Sequence, residues 1–505
     1  MADSRDENRN REDRRKYVRG IEDLNKKNIK KEDRRKKAAN GAGLQPGDSA
    51  TLLIEDINHA GQGIGHVDGL TVFVQEAIPG DRVLVNVTRR HTGYAVADVL
   101  QLLQPSPYRI IPDCPQADRC GGCTLQMMQY EEQLRYKQQQ VEQALTRIGR
   151  IILEPGIMQP IIGMDDPWHY RGKAQFPIAG SVKEPLIGYY ASRSHTVIDA
   201  PVCRIQYPVV DAIRETLRQH IRRWQVEPYR ENDRQGLLRH LIVRIGYATG
   251  DIMVILVING DSIPGQPELI QQLHACVQTH QEPELPLLRL RSVWLNINRA
   301  TTNVIMGQED RLIDGQPWID EIILGIRSRI SPQAFFQVNP RQTTRLYQQV
   351  LDMAALQGNE QVLDLYCGTG SITLQLARKA GWVLGIESHP AAVADARMNA
   401  DLNGLANVTF SAGKTEDILP EWQKQGRSID LVVLDPPRKG CDPAVTAALG
   451  DLQTPRLIYV SCNPATLARD LSQLQSYGYN VQRVQPVDLF PWTGHVETVV
   501  EIEKV

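Results

Sequence analysis

The stretch Val362-Leu-Asp-Leu-Tyr366-Cys-Gly368-Thr-Gly370-Ser371 decides the fold. An apolar strand runs into a Gly-x-Gly turn and then into a helix predicted over Ile372 to Lys379. Glycines at such a turn let the backbone approach a ligand, and the helix start offers free N–H groups. A second strand ends in Glu387, about 20 residues on, where doubly wound sheets bind a ribose diol. Because the third glycine of the dinucleotide motif is missing, the pattern favours an S-adenosylmethionine pocket over a nicotinamide one.

Two more apolar runs in this part of the chain end in side chains that could act in binding or catalysis, a carboxylate and a thiol. The first ends in Asp435-Pro-Pro, and the prolines fix a rigid exit that holds the carboxylate at the edge where open α/β sheets bind ligands. The second ends in Cys462-Asn-Pro, which presents a thiol at the mouth of a strand. A thiolate is strongly nucleophilic and suits covalent catalysis. Taken alone, Asp435 could be a solvated strand terminator and Cys462 a plain buried cysteine.

Five strings together resemble one family. They are SPQAFFQVNPRQ (331–342), LDLYCGTGS (363–371), VLDPPRKG (433–440), YVSCNPAT (459–466) and GHVETVV (494–500). They resemble the RNA uracil-C5 methyltransferases, and within them the iron–sulfur-containing 23S rRNA 5-methyluridine enzymes with an N-terminal TRAM domain. The resemblance covers roughly residues 45 to 505. It implies Cys462 as nucleophile, Glu497 as base, and contacts to S-adenosylmethionine from Gln337, Tyr366, Glu387 and Asp435.

The reaction that the resemblance implies needs both a thiol and a base. C5 of uracil is a poor nucleophile until a thiolate adds to C6, and after methyl transfer the C5 proton must be removed. Glu497 follows a Pro491-Trp-Thr-Gly494 turn and lies in the last apolar strand, predicted over Val496 to Ile502. Desolvation beside this run would raise the pKa of the carboxyl group, which suits a base. The alternation of Glu497 with its neighbours also fits an outward-facing strand residue.

Four of the 8 cysteines suggest a second site. Three are spaced as Cys114-x5-Cys120-Gly-Gly-Cys123, and Cys203 follows much later. No secretion signal opens the chain, so disulfides are not expected. Four thiolates can hold either Zn2+ or a [4Fe–4S] cluster, and the spacing does not choose between them. The resemblance favours [4Fe–4S], because all four cysteines match its pattern.

The domain organisation predicted from composition has four parts. Residues 1–44 form a basic arm, and residues 45–103 form an OB-like TRAM domain. Residues 104–325 form a central α+β domain that is expected to hold the iron–sulfur cluster and to bind RNA, and residues 326–505 form the catalytic domain. Residues 1–40 carry 15 Lys/Arg against 9 Asp/Glu, which leaves 42 against 50 for the rest of the chain. A basic arm on an acidic body favours a nucleic-acid tether, although a solubilising tail has the same composition.

Shorter patterns predict local structure in the two middle domains. In the TRAM region, apolar runs alternate with turns, among which we count Gly61-Gln-Gly63-Ile-Gly65 and the basic group Arg89, Arg90 and His91. The last of these could follow a phosphate backbone. In the central region we expect a buried strand pair, Leu241 to Ile245 and Ile252 to Ile258, and a helix near 266–279.

We therefore predict an α/β protein with a Rossmann-like S-adenosylmethionine methyltransferase domain, acting on 23S rRNA. No membrane partner is expected, because no apolar run approaches the ~20 residues of a bilayer span. A cytoplasmic location follows, and no obligate protein partner is inferred. Transfer RNA remains an alternative substrate. Alternative classes are a DNA or protein N-methyltransferase, which needs no thiol, an RNA cytosine-C5 enzyme, and a non-catalytic RNA-binding protein.

Overall fold

The computed structural model describes residues 43–424 and 428–505. It divides into two compact units, one ending at Arg109 and one beginning at Ile110. The basic arm predicted for 1–44 lies outside the described residues except for its last two positions. No helix of the two described ranges has both the length and the apolar composition that crossing a membrane requires.

The first unit is all-β, as predicted. Its strands are β1 (Ser49–Leu53), β2 (Asp56–Ile57), β3 (Gly63–Val67), β4 (Leu70–Val74), β5 (Arg82–Arg90) and β6 (Tyr94–Gln104). They form one sheet in the order β1-β5-β6-β4-β3-β2. Valines and alanines that alternate along the strands fill the core, such as Val83, Val85 and Val87 of β5.

Two expectations about turns in this unit are wrong. Gly63 and Gly65 lie inside β3, not in a turn. A Cβ on Gly63 would lie 2.7 Å from the Ala77 carbonyl oxygen, and one on Gly65 would lie 2.5 Å from that of Leu53. The glycines are there because neighbouring backbone packs directly on the strand. Arg89 and Arg90 end β5, and only His91 lies in the turn.

The second unit contains a mixed sheet in its first half. Its strands are β7 (Lys173–Gly180), β8 (Pro185–Tyr190), β9 (Val197–Asp199), β10 (Leu238–Ile245), β11 (Asp251–Ile258), β12 (Arg289–Ile297) and β13 (Glu309–Gly315), in the order β13-β12-β11-β10-β7-β8-β9. Its helices are α1 (Tyr130–Gln143), α2 (Pro208–Trp224) and α3 (Gln266–Thr279). The predicted strand pair and helix are confirmed. β10 and β11 are antiparallel and buried on both faces, which explains the long apolar runs in their sequences.

A hairpin and a parallel sheet form the second half of this unit. The hairpin consists of β14 (Ile319–Ile323) and β15 (Ile326–Ile330). The sheet consists of β16 (Gln361–Leu365), β17 (Trp382–Glu387), β18 (Val408–Ala412), β19 (Leu431–Leu434), β20 (Arg456–Ser461), β21 (Tyr479–Val487) and β22 (Glu497–Lys504). The helices are α4 (Pro340–Ala354), α5 (Ser371–Ala377), α6 (Pro390–Leu402), α7 (Thr415–Lys424), α8 (Pro443–Leu452) and α9 (Pro464–Ser476).

The order of this sheet is β18-β17-β16-β19-β20-β22-β21. Strands β16 to β20 are parallel, whereas β22 runs antiparallel to both β20 and β21. The chain moves outward in one direction from β16 to β18 and returns to the other side with β19, so the order reverses between β16 and β19. Ligands of such sheets bind at that reversal, beyond the carboxyl ends of the strands. The predicted Rossmann-like α/β fold is confirmed.

Candidate active site

Four parallel strands end at one edge of the sheet, and each delivers a polar group there. Tyr366 follows β16, Glu387 ends β17, Asp435 follows β19 and Cys462 follows β20. The parallel register holds the strand ends level, since Leu434 of β19 lies between Leu365 of β16 and Tyr459 of β20. The apolar runs of these strands are buried on both faces of the sheet, which fixes their register. Four residues predicted from separate motifs therefore lie along one edge.

Strand register also brings Glu497 to Cys462. β22 is antiparallel to β20, and Ser461 lies opposite Thr498. Continuing that register by one residue places Cys462 opposite Glu497, the first residue of β22. Cys462 is half-buried, and Glu497 is only 5% exposed. The outward-facing alternative for Glu497 is therefore wrong.

Burial and mutual repulsion shift the acid–base properties of this pair. Burial and, to a smaller extent, the charge of Asp435 raise the pKa of Glu497 to about 8. The increase expected from desolvation is confirmed. Burial raises the pKa of the Cys462 thiol to about 11, with added contributions from the charges of Glu497 and Asp435. Burial also raises the pKa of Asp435, to about 7. Each of the three groups therefore holds its proton to a higher pH than the same side chain does in water.

One cation opposes this trend. The charge of Arg438 lowers the pKa of both Cys462 and Glu497, although burial dominates in each case. The loop that carries Arg438 is held by α9, because Asn463 Nδ2 and Thr466 Oγ1 donate to the Arg438 carbonyl oxygen at 3.1 and 3.3 Å. Asn463 also caps α9 by accepting from the Ala465 N–H at 3.1 Å. The same turn thus fixes the thiol and the cation.

On the other side of the reversal, the Gly-x-Gly turn and Glu387 form an open cradle. Gly368 has a φ of +55°, and a Cβ added there would meet nothing within 4 Å. The Glu387 carboxylate accepts from the Gly368 N–H at 3.1 Å and from the His389 N–H at 2.7 Å. Asp364, in β16, is buried with Oδ1 lacking a hydrogen-bond partner, and burial raises its pKa to about 7. Open backbone, an oriented carboxylate and an unsatisfied buried oxygen fit S-adenosylmethionine.

The two other predicted cofactor contacts are Tyr366, at the end of β16, and Gln337, which lies in a different segment. Tyr366 has a φ of +64°, and its hydroxyl interacts with the Cys441 thiol. Gln337 lies half-buried in the segment between β15 and α4. The next residue, Val338, accepts from the Gly172 N–H at 2.6 Å, which fixes that segment. Glu387, Asp435, Cys462 and Glu497 are thus brought together by strand ends, and Gln337 is placed by a separate loop.

The four predicted cluster cysteines lie in one region of the second unit. Cys120 forms a β-bridge to Ala191, and Cys203 is buried. Burial raises the pKa of Cys120 to about 11 and of Cys123 to about 12, and the charges of Cys203 and Cys114 contribute to both increases. Within the part of the chain that the structure describes, however, no three His, Cys, Asp or Glu side chains are placed to hold a metal ion. All four donor atoms are thiols, the ligand type that such a cluster uses.

Sequence reasoning missed two residues that shape this pocket. Asp364 is the one charged residue in an otherwise apolar strand, and that mismatch is a usable signal for a functional carboxylate. Arg438 directly follows Asp435-Pro-Pro, so its place near the site could be inferred from the sequence. Its effect on the pKa values of Cys462 and Glu497, which lie on other strands, could not.

Known proteins match both units. A family model described as tRNA (Uracil-5-)-methyltransferase matches residues 296–505, and a TRAM domain model matches residues 44–100. An uncharacterized RNA methyltransferase of Halalkalibacterium halodurans is 42% identical over 92% of this chain and 98% of its own length. Another from Listeria innocua is 40% identical over 90% of this chain and 98% of its own length.

A solved structure shares the fold. It is a Pyrococcus abyssi tRNA (uracil-54, C5)-methyltransferase in complex with S-adenosyl-L-homocysteine. It has a TM-score of 0.71 and 24% identity, and the match covers 90% of this chain and all of that one. The fold and the acidic strand ends define an S-adenosylmethionine-dependent RNA methyltransferase. More narrowly, the chain belongs to the RNA uracil-5-methyltransferase family, and it also carries a TRAM domain.

Proposed function

We propose that this enzyme methylates C5 of a uridine in 23S rRNA through a covalent adduct between Cys462 and C6. The observation that carries the proposal is the strand register that faces Cys462 with Glu497 at the ligand edge of the sheet. A thiol opposite a buried carboxyl group supplies the nucleophile and the base that this reaction needs.

The chemistry balances as follows. The Cys462 thiol loses its proton to solvent, its sulfur forms a bond to C6, and the C5–C6 π electrons move to give an enolate. Glu387, Asp435, Tyr366 and Gln337 would hold S-adenosylmethionine, which would supply the methyl group to C5 and leave as S-adenosylhomocysteine. Glu497 then removes the C5 proton, and the electron pair of that C–H bond restores the C5–C6 double bond as the thiolate leaves.

The pKa shifts fit this order of events. The thiol is protonated in the resting pocket, so it must lose its proton as the substrate binds. Arg438 is the cation that favours the thiolate. A Glu497 carboxyl group with a pKa of about 8 is basic enough to accept a proton near neutral pH.

Methylation of defined RNAs tests the substrate. The anaerobically purified protein is incubated with radiolabelled S-adenosylmethionine and, separately, with unmodified 23S rRNA and tRNA, and the labelled nucleoside is identified. We expect 5-methyluridine in 23S rRNA. Labelled 5-methyluridine in tRNA alone would keep the mechanism and replace the substrate, as the tRNA enzyme with the same fold suggests. Labelled 5-methylcytidine would contradict the proposal.

The proposal includes a [4Fe–4S] cluster on Cys114, Cys120, Cys123 and Cys203. The mutual influence of their charges supports it. We expect iron and acid-labile sulfide in equal amounts in anaerobic protein, and loss of both in Cys123→Ala. The matched control is Cys276→Ala, because Cys276 is a buried cysteine on α3, outside this set of four. Zinc in place of iron would contradict this assignment.

A further inference from the structure

The loop between β21 and β22, residues 488–496, leads directly into Glu497 and is fixed by a buried ion pair. Lys137 Nζ on α1 lies 2.6 Å from Asp488 Oδ1, and both side chains are 0% exposed. The Tyr130 hydroxyl donates to Asp488 Oδ2 at 2.7 Å. Burial lowers the pKa of Lys137 and the charge of Asp488 opposes that effect, so each charge depends on the other.

The backbone at the start of the same loop is hydrogen-bonded at each of residues 488–492. The anchors are Gln342 Nε2 to the Asp488 carbonyl oxygen, Asn339 Nδ2 to that of Leu489, Lys137 Nζ to that of Phe490, Tyr170 hydroxyl to that of Pro491, the Leu125 N–H to that of Trp492, and the Trp492 N–H to Gln133 Oε1. These distances lie between 2.9 and 3.1 Å. Every partner comes from residues 125–170, from Asn339 or from α4, so the loop that leads into Glu497 is held by parts of the chain more than a hundred residues away.

Trp492 shows that the loop conformation is imposed on it. The residue has a φ of +66°, a strained conformation for a bulky side chain. Its ring stacks on Trp168 with centroids 4.3 Å apart, and its Nε1 donates to the Pro167 carbonyl oxygen at 2.9 Å. Such a backbone persists only where surrounding contacts determine it, so loss of anchors should let this loop relax.

We propose that Lys137, Asp488 and Tyr130 are positioning residues that hold this loop so that Glu497 faces Cys462. They serve the elimination step and leave the nucleophile unaffected, because Cys462 is fixed by β20 and α9 instead. This inference rests on the proposed function of Glu497 as the base. Its distinctive consequence is an enzyme that still transfers the methyl group but releases the methylated RNA slowly.

The test must separate positioning from folding. Removing one partner of a buried ion pair leaves the other charge buried without a counter-charge and destabilises the fold. Replacing both residues by neutral ones is far better tolerated. The variant of choice is therefore Lys137→Met/Asp488→Asn, which keeps an oxygen acceptor for Tyr130. The matched control is Arg135→Met, on the same helix, whose exposed side chain pairs with Glu132 at 2.7 Å. Circular dichroism and a thermal melt check that each variant is folded.

The readouts are single-turnover methyl transfer and the fraction of enzyme held as a denaturation-resistant, methyl-labelled RNA adduct. We expect methyl transfer in the double variant to stay within about threefold of the original enzyme while adduct release slows about tenfold to a hundredfold, as for a small misplacement of a catalytic group. Tyr130→Phe is a milder change that keeps the ion pair and removes only the hydrogen bonds of the hydroxyl, which donates to Asp488 and accepts from the Met164 N–H at 3.0 Å. It should slow release in the same direction by about two- to fivefold. Arg135→Met should behave like the original enzyme.

Two results would overturn the inference. One is a folded double variant that releases RNA at the original rate, and the other is an equal loss of methyl transfer and release. If the double variant does not fold, Tyr130→Phe decides: unchanged release contradicts the inference. Glu497→Gln, run in parallel, isolates the proposed function. If it accumulates no methylated adduct, Glu497 is not the base, and the inference fails for that separate reason.

Discussion

Cys462 and Glu497, the proposed nucleophile and base, face each other, but they are positioned in opposite ways. Cys462 lies at a turn built by its immediate neighbours: Ser461 Oγ accepts from the Asn463 N–H at 3.1 Å, and Asn463 caps α9. Glu497 follows a loop whose contacts come from Lys137, Tyr130 and other residues up to 359 positions away in sequence. The thiol is thus a local feature of the chain, and the carboxylate depends on tertiary packing.

This difference predicts how each site tolerates change. A locally built turn should survive distant substitutions, whereas a loop held from many sides should respond to several of them. The two side chains also have different chemical tasks, since adduct formation needs the thiolate and adduct release needs the base. Variants at the two positions should therefore stop the reaction at different stages.

The largest effect is expected from Cys462→Ala. Without the sulfur no C6 adduct can form, so methylation should fall on the order of 10^4-fold or more. The measurement is methyl incorporation into RNA, together with a gel assay for the covalent complex. A variant that still methylates RNA at a substantial rate would refute nucleophilic catalysis at this residue. Cys276→Ala, which removes a buried thiol on α3, is a suitable control.

The second largest effect is expected from Glu497→Gln, which should block a later step of the reaction than Cys462→Ala does. The amide keeps the shape of the side chain but cannot accept the C5 proton, so turnover should fall about 10^2- to 10^4-fold. Methyl transfer in the first cycle should persist, and a methylated adduct should accumulate. Mass spectrometry of the digested complex distinguishes it from an unmethylated adduct. An empty enzyme after one cycle would assign proton removal to another group.

Asn463→Ala tests the local half of the comparison. Loss of the α9 cap should lower the free energy of unfolding by about 1 kcal/mol. It also removes the bond to the Arg438 carbonyl oxygen, so we expect slower adduct formation and unchanged adduct release. Chemical denaturation and the single-turnover assay measure the two effects. Slower release in place of slower adduct formation would contradict the separation of the two regions.

The smallest effect concerns the charge that the base imposes on the thiol. Ionised Glu497 raises the pKa of Cys462, and Glu497 itself ionises as pH rises through about 8. In Glu497→Gln, alkylation of Cys462 by iodoacetamide should therefore be faster than in the original enzyme above pH 8 and equal to it near pH 6. Mass spectrometry of the Cys462 peptide follows the rate. Identical profiles over this range would show that the two groups do not interact.

The sequence predicts the features that are built locally, and it does not predict those that depend on tertiary packing. The strand ends at Glu387, Asp435 and Cys462 were predictable, because short apolar runs and prolines encode them locally. The burial of Glu497 was not, since its alternating neighbours fit both faces of a strand until the register with β20 is known. Lys137 was equally hidden, because a lysine on a charged helix shows no sign of a partner in Asp488, 351 residues later.

The first unit shows a similar limit. Gly63 and Gly65 led us to predict a turn, because glycine is common in turns. In the structure, however, glycine is required at these positions because a neighbouring backbone segment leaves no room for a Cβ. No local pattern separates these two reasons for a glycine. The spacing of the cysteines likewise indicated a metal site, but where Cys203 lies relative to Cys114, Cys120 and Cys123 depends on a fold that brings together segments 80 residues apart.

The hydrogen bonds of Glu387 affect the thermodynamics of ligand binding. Its carboxylate already accepts from two backbone N–H groups and from Ser388 Oγ, so its rotamer is selected during folding. Freezing a free glutamate side chain costs up to about 2 kcal/mol in lost conformational entropy. When a ribose binds to Glu387, the side chain is already ordered, so binding does not carry this entropy cost. A larger share of the free energy of each new hydrogen bond therefore contributes to affinity.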